Sequence, residues 1–65
     1  MKIRVNGETR EVAAVTLEAL LVELDYGEGP HATALNREFV CRDARARTRL
    51  KEGDCVEVVT PKQGG

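Results

Sequence analysis

The sequence predicts an α+β fold in which one main helix packs on one face of a mixed sheet of four or five strands. Three features support this class: an alternating segment that runs into Asn6-Gly7, a stripe of leucines at helical spacing, and a β-branched segment over residues 55–60. A chain of 65 residues has room for one domain with a thin core. A deep active site that excludes water is therefore not expected.

A β-hairpin is predicted over residues 1–14. Apolar Ile3 and Val5 alternate with charged and polar residues, which indicates a strand with one buried face. Asn6-Gly7 follows, and this pair favours a two-residue turn because both residues tolerate positive φ. Residues 8–14 are predicted to return as the second strand.

The main helix is predicted to start after Thr16, whose hydroxyl can accept a hydrogen bond from a free N–H group of the first turn. Four leucines then fall on one stripe, which is the side expected to face the core. These are Leu17, Leu20, Leu21 and Leu24. Gly27 suits a left-handed cap, so we expect the helix to end at Tyr26-Gly27.

The middle of the chain predicts two short strands. Residues 32–35 and 39–41 are mostly small or apolar, and a turn connects them. Arg37 is unfavourable in a tight turn that needs positive φ, so we expect a longer turn or another turn type. Residues 42–49 fit a short helical turn or an irregular connection, with Leu50 buried beside it.

The last strand is predicted over residues 55–60, and Pro61 is expected to end its pairing. The first and last strands can pair as central neighbours, with the helix across one face. This order of elements is typical of the β-grasp, or ubiquitin-like, architecture. We therefore predict a β-grasp domain over residues 1–60 and a flexible tail over residues 61–65.

A cluster of basic residues marks the second half of a chain whose net charge is -1. Such a cluster is a patch for an acidic partner or, more commonly, a solvated surface. Its members are Arg42, Arg45, Arg47, Arg49 and Lys51.

The two cysteines, Cys41 and Cys55, are expected to be reduced structural thiols. Together with a single histidine they do not make a zinc site, so no metal is expected. A thiol nucleophile paired with His31 stays open as an alternative, although it needs an electropositive pocket that orients it.

Several partner classes are not expected. Aromatic residues are limited to Tyr26 and Phe39, too few for a surface that stacks single-stranded nucleic acid. No apolar segment approaches the roughly 18 residues of a membrane-spanning helix, and the first residues lack the apolar part of a signal peptide. We expect a cytoplasmic protein that is a monomer when free and binds neither nucleic acid nor membrane.

The candidate site is the tail. Gln63, Gly64 and Gly65 are expected to thread into the active site of a partner enzyme, because glycine is narrow and unrestricted in φ and ψ. An ionised carboxylate on Gly65 can attack the α-phosphate of ATP and form an acyl-adenylate that is open to a sulfur nucleophile. Strand alternation places Val59 and Glu57 outward, which makes both candidate docking contacts for that partner.

Four segments carry a family resemblance: MKIRVNGE, TLEALLVELDYG, ATALNREFV and LKEGDCVEVVTPKQGG. With these segments the chain resembles the ThiS family, the sulfur carriers of thiazole formation in thiamine biosynthesis. The terminal Gly-Gly and the GDCVEVV strand are shared with related carriers, whereas NREFV and TPKQGG favour ThiS. One departure is Arg37, where similar proteins commonly carry glycine.

The resemblance implies a carrier that partner enzymes modify, not an enzyme. A ThiF-like enzyme would adenylate Gly65 with MgATP, and a sulfur-relay protein would convert it to a thiocarboxylate. A ThiG-like thiazole synthase would receive the sulfur, and the chain itself would bind no cofactor. Two alternatives stay open: a carrier like the small subunit of molybdopterin synthase, and a ubiquitin-like interaction module without this chemistry.

Overall fold

The structure, a computed structural model, describes residues 1–27 and 29–61. Its elements are β1 (Lys2–Val5), β2 (Glu8–Glu11), α1 (Leu17–Glu23), β3 (Ala32–Leu35), β4 (Glu38–Val40), a 3₁₀ helix (Arg42–Arg47) and β5 (Cys55–Val59). The five strands form one sheet in the order β2-β1-β5-β3-β4. β1 and β5 are parallel and every other pair is antiparallel. The predicted fold class is therefore confirmed, with the first and last strands side by side.

The first hairpin has the predicted two-residue turn, with φ of 51° at Asn6 and 85° at Gly7. Its second strand is shorter than predicted and ends at Glu11 instead of residue 14. The backbone N–H groups of Ala13 and Ala14 donate to the carboxylate of Glu23 on α1, at 3.1 and 2.9 Å. Because these donors bind a helix side chain, they do not extend the sheet.

Helix α1 begins as predicted, with the Thr16 hydroxyl accepting from the Ala19 N–H at 3.1 Å. Leu17, Leu20 and Leu21 are buried and pack against the sheet side chains of the core. The predicted end at Tyr26-Gly27 is wrong, because α1 ends at Glu23.

A different residue caps the helix. Asp25 takes the left-handed conformation, with φ of 62°. The Tyr26 N–H donates to the Leu21 carbonyl at 2.9 Å, and the Asp25 N–H donates to the Val22 carbonyl at 3.1 Å. This pair of bonds is a Schellman motif, which satisfies the last carbonyls of the helix.

The second hairpin turns within two residues, and the prediction of a longer or different turn is wrong. Asn36 has φ of 51° and Arg37 has φ of 73°. β4 follows at once and pairs with β3 from Glu38 to Val40. The Asn36 side chain fixes this strained turn through hydrogen bonds to Asp54 and Cys55, which lie outside the hairpin.

The connection after β4 is a 3₁₀ helix, which agrees with the predicted short helical turn. Arg45 is only 8% exposed, so the interpretation of the basic cluster as a solvated surface is wrong for this residue. Leu50 is buried, as predicted.

β5 is the central strand of the sheet. Val56 and Val58 point into the core with Ile3 and Val5 of β1, and all four are buried. β5 ends at Val59, and the chain continues through Thr60 and Pro61 to the last described residue. Within residues 1–27 and 29–61, no helix has the length and apolar character needed to cross a bilayer.

Candidate functional site

The base of the tail is tied to the loop that follows α1. The His31 imidazole lies between the two, with Nε2 3.1 Å from the Tyr26 carbonyl oxygen and Nδ1 3.0 Å from the Thr60 hydroxyl. A carbonyl oxygen only accepts, so Nε2 carries a hydrogen and a neutral ring accepts from Thr60 at Nδ1. The point at which the chain leaves the domain is thus held from the side.

The same geometry argues against a thiol nucleophile paired with histidine. Both ring nitrogens of His31 are bonded to Tyr26 and Thr60. Cys41 and Cys55 are free and exposed. Neither thiol has His31 as its base, so the arrangement that thiol catalysis requires is not built here.

The two predicted docking residues lie on the open face of the sheet, which α1 does not cover. Glu57 and Val59 alternate with buried Val56 and Val58, as predicted, and Val59 is 61% exposed. The β3–β5 register places Ala32 beside Val59 and Ala34 beside Glu57. Directly opposite residues of an antiparallel pair share a face, so this face is smooth and partly apolar next to the tail.

Phe39 extends this face and was not among the predicted site residues. It lies opposite Ala34 in the β3–β4 register and is 73% exposed. Because phenylalanine is usually buried, residue type alone does not predict an exposed position for Phe39. The parity of β4 could have revealed it, because Thr33 pairs with Val40 on the covered face and leaves Phe39 on the other. We call Ala32, Ala34, Phe39 and Val59 the open-face patch.

The end of β5 is fixed by the first hairpin turn. The Asn6 side-chain carbonyl accepts from the Val58 N–H at 2.9 Å, and its amide donates to the Val58 carbonyl at 3.2 Å. Asn6 therefore continues the pairing of β5 beyond the last residue of β1. This contact sets the direction of the strand immediately before Val59.

The start of β5 is fixed by a buried carboxylate. Asp54 is 4% exposed and accepts from the Lys51 N–H at 2.8 Å, the Asn36 amide at 3.1 Å and the Lys51 ammonium at 3.2 Å. Burial by itself raises the pKa of Asp54, but the hydrogen bonds from Lys51 and Asn36 outweigh it, so the net pKa is lowered. Asp54 is ionised at neutral pH and holds the loop against the second hairpin turn.

Three of the predicted site residues, Gln63, Gly64 and Gly65, lie outside the described residues. The prediction that they enter a partner's active site therefore stays a prediction, as does the boundary between a domain at 1–60 and a tail at 61–65. Within the described ranges, no group of three or more His, Cys, Asp or Glu side chains is placed to hold a metal ion.

The sequence model of the ThiS family matches residues 3–65 of this chain. This chain belongs to the ThiS family. The match includes nearly all of the β1–β5 pair, the capped helix and both predicted docking residues on the open face.

Solved structures agree with this assignment. The crystal structure of the thiamine biosynthesis protein ThiS from Geobacter metallireducens is 30% identical, with a TM-score of 0.85 and all of both chains covered. The solution structure of a thiamine biosynthesis protein from the same organism is also 30% identical, with a TM-score of 0.82. The alignment with this solution structure includes all of the present chain and 88% of the other.

A curated relative is much longer. A protein named thiazole synthase from Paramagnetospirillum magneticum is 38% identical over 66 aligned residues. The alignment includes all of this chain but only 20% of that protein. The chain thus spans one fifth of the length of the thiazole synthase that it matches.

Proposed function

We propose that this ThiS family member is a sulfur carrier rather than an enzyme, and that a thiocarboxylate on Gly65 donates the sulfur for thiazole formation in thiamine biosynthesis. Family membership over residues 3–65 is the observation that carries the proposal. The fold supports it, because the segment that leads to Gly65 continues directly from the central strand β5.

The chemistry takes place on partners in two steps. On a ThiF-like adenylating enzyme with MgATP, a carboxylate oxygen of Gly65 attacks the α-phosphorus and pyrophosphate leaves. A sulfur-relay protein then supplies a sulfide-level nucleophile, which attacks the carbonyl carbon of the acyl-adenylate. AMP leaves with the C–O bond electrons, and the carbon retains one new C–S bond. The cofactor ATP and its Mg²⁺ belong to the partner.

The last three residues suit this route for a steric reason. Glycine at 64 and 65 places no side chain beside the reacting carbonyl group. Gln63 is then the last side chain before it, and it is a hydrogen-bonding group that can fix the tail in a partner's channel.

The open-face patch is the proposed docking surface for thiazole synthase. Val59 adjoins the tail and lies beside Ala32, and Phe39 lies on the same face in β4, opposite Ala34. We expect an enzyme that receives the tail to cover this face. Exposed apolar patches near a functional segment are typical of protein contacts. The relative named thiazole synthase contains a segment similar to this chain, which supports that enzyme as the partner.

Intact mass spectrometry tests the carrier chemistry. The protein is incubated with a ThiF-like enzyme, MgATP and a sulfur donor, and its mass is measured with and without ATP. The expected result is an ATP-dependent mass gain of one sulfur-for-oxygen exchange, located to Gly65 by fragmentation. Absence of this exchange with an activating enzyme that modifies its own cognate carrier would overturn the proposal.

Deletion of Gly65 is the matching variant. We expect it to abolish the mass gain and leave the thermal unfolding midpoint unchanged, because β5 ends six residues earlier at Val59. Sulfur exchange that persists in the deletion variant would place the chemistry elsewhere.

Docking is tested with two exposed valines. Val59→Asp and Val22→Asp introduce the same charge at side chains that are 61% and 74% exposed. Val59→Asp should weaken binding to thiazole synthase by about tenfold or more, since it places an unpaired charge in the contact. Val22 lies on α1, away from the open face, so Val22→Asp should bind normally. Equal effects of the two variants would contradict the assigned surface.

Genetic complementation separates the two pathways. In a strain that lacks its own thiazole sulfur carrier, the gene should restore growth without added thiazole. In a strain that lacks the small subunit of molybdopterin synthase, it should not restore molybdoenzyme activity. Rescue of the second strain alone would assign the carrier to the other pathway.

A further inference from the structure

A pocket of about 200 Å³ lies between α1, the segment that follows it and the 3₁₀ helix. Arg42 and Arg45 of the 3₁₀ helix and His31 line it, together with Gly27, Gly29 and Glu18. It is separate from the open-face patch, and the proposed sulfur chemistry does not use it.

The Arg45 guanidinium is buried with only part of its donor capacity used. Arg45 is 8% exposed. Its Nε donates to the Thr33 hydroxyl at 3.0 Å and its Nη2 to the His31 carbonyl at 2.7 Å. Both acceptors are neutral, and the guanidinium has further N–H groups. No bond from Nη1 is found within the described residues, and Arg45 lines the pocket.

This arginine forms no ion pair within the described part of the chain. The three ion pairs found there involve neither Arg45 nor Arg42. A buried cation without a counter-charge is unfavourable. Arg42 adds a second positive charge to the same pocket, and Glu18 opposes the two from the helix side. The part of the lining that the structure describes therefore has a net positive charge.

We propose that this pocket binds a small oxyanion, a phosphate or carboxylate group, between Arg42 and Arg45. A guanidinium that is fixed along one edge presents its other edge to a planar or tetrahedral oxyanion with two parallel hydrogen bonds. Thr33 and His31 provide that fixing, so Arg45 is already oriented before the anion arrives.

The pocket adjoins the base of the tail through His31. The His31 carbonyl accepts from Arg45, and its ring contacts the Thr60 hydroxyl. An oxyanion on Arg45 therefore lies two contacts from Thr60, and the Thr60 amide is a reporter of occupancy at this pocket.

NMR titration of the ¹⁵N-labelled full chain tests the proposal. Inorganic phosphate and sodium acetate are added in separate series, with sodium chloride at matched ionic strength as the reference. We expect saturable shifts at the Gly27 and Gly29 amides and at Arg45 Nε. Saturation with phosphate alone identifies a phosphate site, and saturation with acetate as well identifies a carboxylate site. If neither anion saturates, or if chloride reproduces the shifts, the proposal is wrong.

Two arginines of one helix provide the matched pair. Arg42→Gln should weaken the anion affinity by about tenfold, the usual scale for one charge-assisted contact. Arg47→Gln removes the same charge from an exposed position that does not line the pocket, and its affinity should be unchanged. Equal losses in the two variants would reduce the effect to general electrostatic attraction and overturn the site.

A third variant tests for neutralisation from within the chain. Glu28 lies between Gly27 and Gly29 in sequence and outside the described residues. Glu28→Gln should bind phosphate or acetate with about the same affinity as the unmodified chain. Anion binding that appears only in Glu28→Gln would mean that Glu28 already neutralises Arg45, and the proposal would fail.

Discussion

The two hairpin turns, Asn6-Gly7 and Asn36-Arg37, have nearly the same backbone and lie at opposite ends of β5. Both asparagines have φ of 51°. The Asn6 N–H donates to the Val56 carbonyl at 2.9 Å, and the Asn36 N–H donates to the Cys55 carbonyl at 2.7 Å. Each turn thus continues its own strand against the central one.

The turns differ in what holds them. Gly7 adopts its φ of 85° without a steric cost, whereas Arg37 has φ of 73°, a conformation that costs a non-glycine residue about 1–2 kcal/mol. The Asn36 side chain compensates through two bonds, to the Asp54 carboxylate at 3.1 Å and from the Cys55 N–H at 2.9 Å. Both asparagine side chains bond β5, but only the second turn is also bonded to Asp54, and only the first has glycine as its second residue.

Among substitutions that test this difference between the turns, removal of the Asp54 carboxylate should have the largest effect on the free energy of unfolding. Asp54→Ala leaves the Lys51 N–H and the Asn36 amide without their acceptor. We expect a loss of about 3 kcal/mol in the free energy of unfolding, since buried bonds to a charged group are involved. Urea unfolding measures it. A control, Glu52→Ala, removes an exposed neighbouring carboxylate that, among the described residues, accepts only from the Lys2 N–H. A loss at Asp54 no larger than that of this control would contradict the assigned role.

The two asparagines come next in size. Asn6→Ala and Asn36→Ala each remove a left-handed asparagine and its bonds to β5, with an expected loss of about 2 kcal/mol. The variants differ when combined with Asp54→Ala. Asn36→Ala should be clearly non-additive because the two side chains are bonded, and Asn6→Ala should be additive. Additivity for both pairs would show that Asp54 does not hold the second turn.

Substitutions at the second residue of each turn should change the free energy of unfolding by less, and with opposite signs in the two turns. Arg37→Gly should stabilise the protein by about 1 kcal/mol, because glycine removes the strain at φ of 73°. Gly7→Ala should destabilise it by about 1 kcal/mol, because alanine is strained at a φ of 85°. No atom of the described residues lies within 4 Å of the added Cβ, so a clash does not contribute. Thermal unfolding measures both. A destabilising Arg37→Gly would mean that the arginine side chain makes a contact that outweighs its strain.

The pH dependence of stability is the smallest expected effect. The pKa of Asp54 is lowered in the folded state, so its stabilisation is present above the unfolded pKa of about 4 and is lost as pH falls through the lower folded pKa. Below about pH 4 the unmodified protein should therefore lose stability more steeply than Asp54→Asn. The pKa of Glu11 is also lowered, by the hydrogen bond from the Met1 ammonium, but Glu11 is present in both proteins. Parallel curves for the two proteins would exclude Asp54 as the source.

Much of the fold followed from short-range patterns. The Asn6-Gly7 turn, the Thr16 cap and the leucine stripe of α1 are local features, and all three are confirmed. The errors have two causes. β2 stops early because Glu23, which is distant in the chain, binds the following N–H groups. The helix end has a local cause: Asp25 takes the left-handed conformation, so α1 already ends at Glu23.

Some residues of the candidate site could also be placed from local patterns, and others could not. Alternation along β5 was enough to place Glu57 and Val59 outward. Phe39 and Arg45 could not be placed by residue type, because one is an exposed aromatic residue and the other a buried cation. Their positions depend on the β3–β4 register and on acceptors from Thr33 and His31, which lie far from Arg45 along the chain.

The sequence by itself determined the order of elements, the face of α1 that is buried and the Gly-Gly segment on which the proposed chemistry depends. These are consequences of periodicity and of single-residue conformational preference, which act over a few residues. Only the tertiary structure decided that Arg37 occupies a left-handed turn, that Arg45 is buried beside a pocket and that Phe39 extends the open face. Each of these requires hydrogen bonds or packing between residues distant in the chain, and such contacts outweigh local preferences of about 1 kcal/mol.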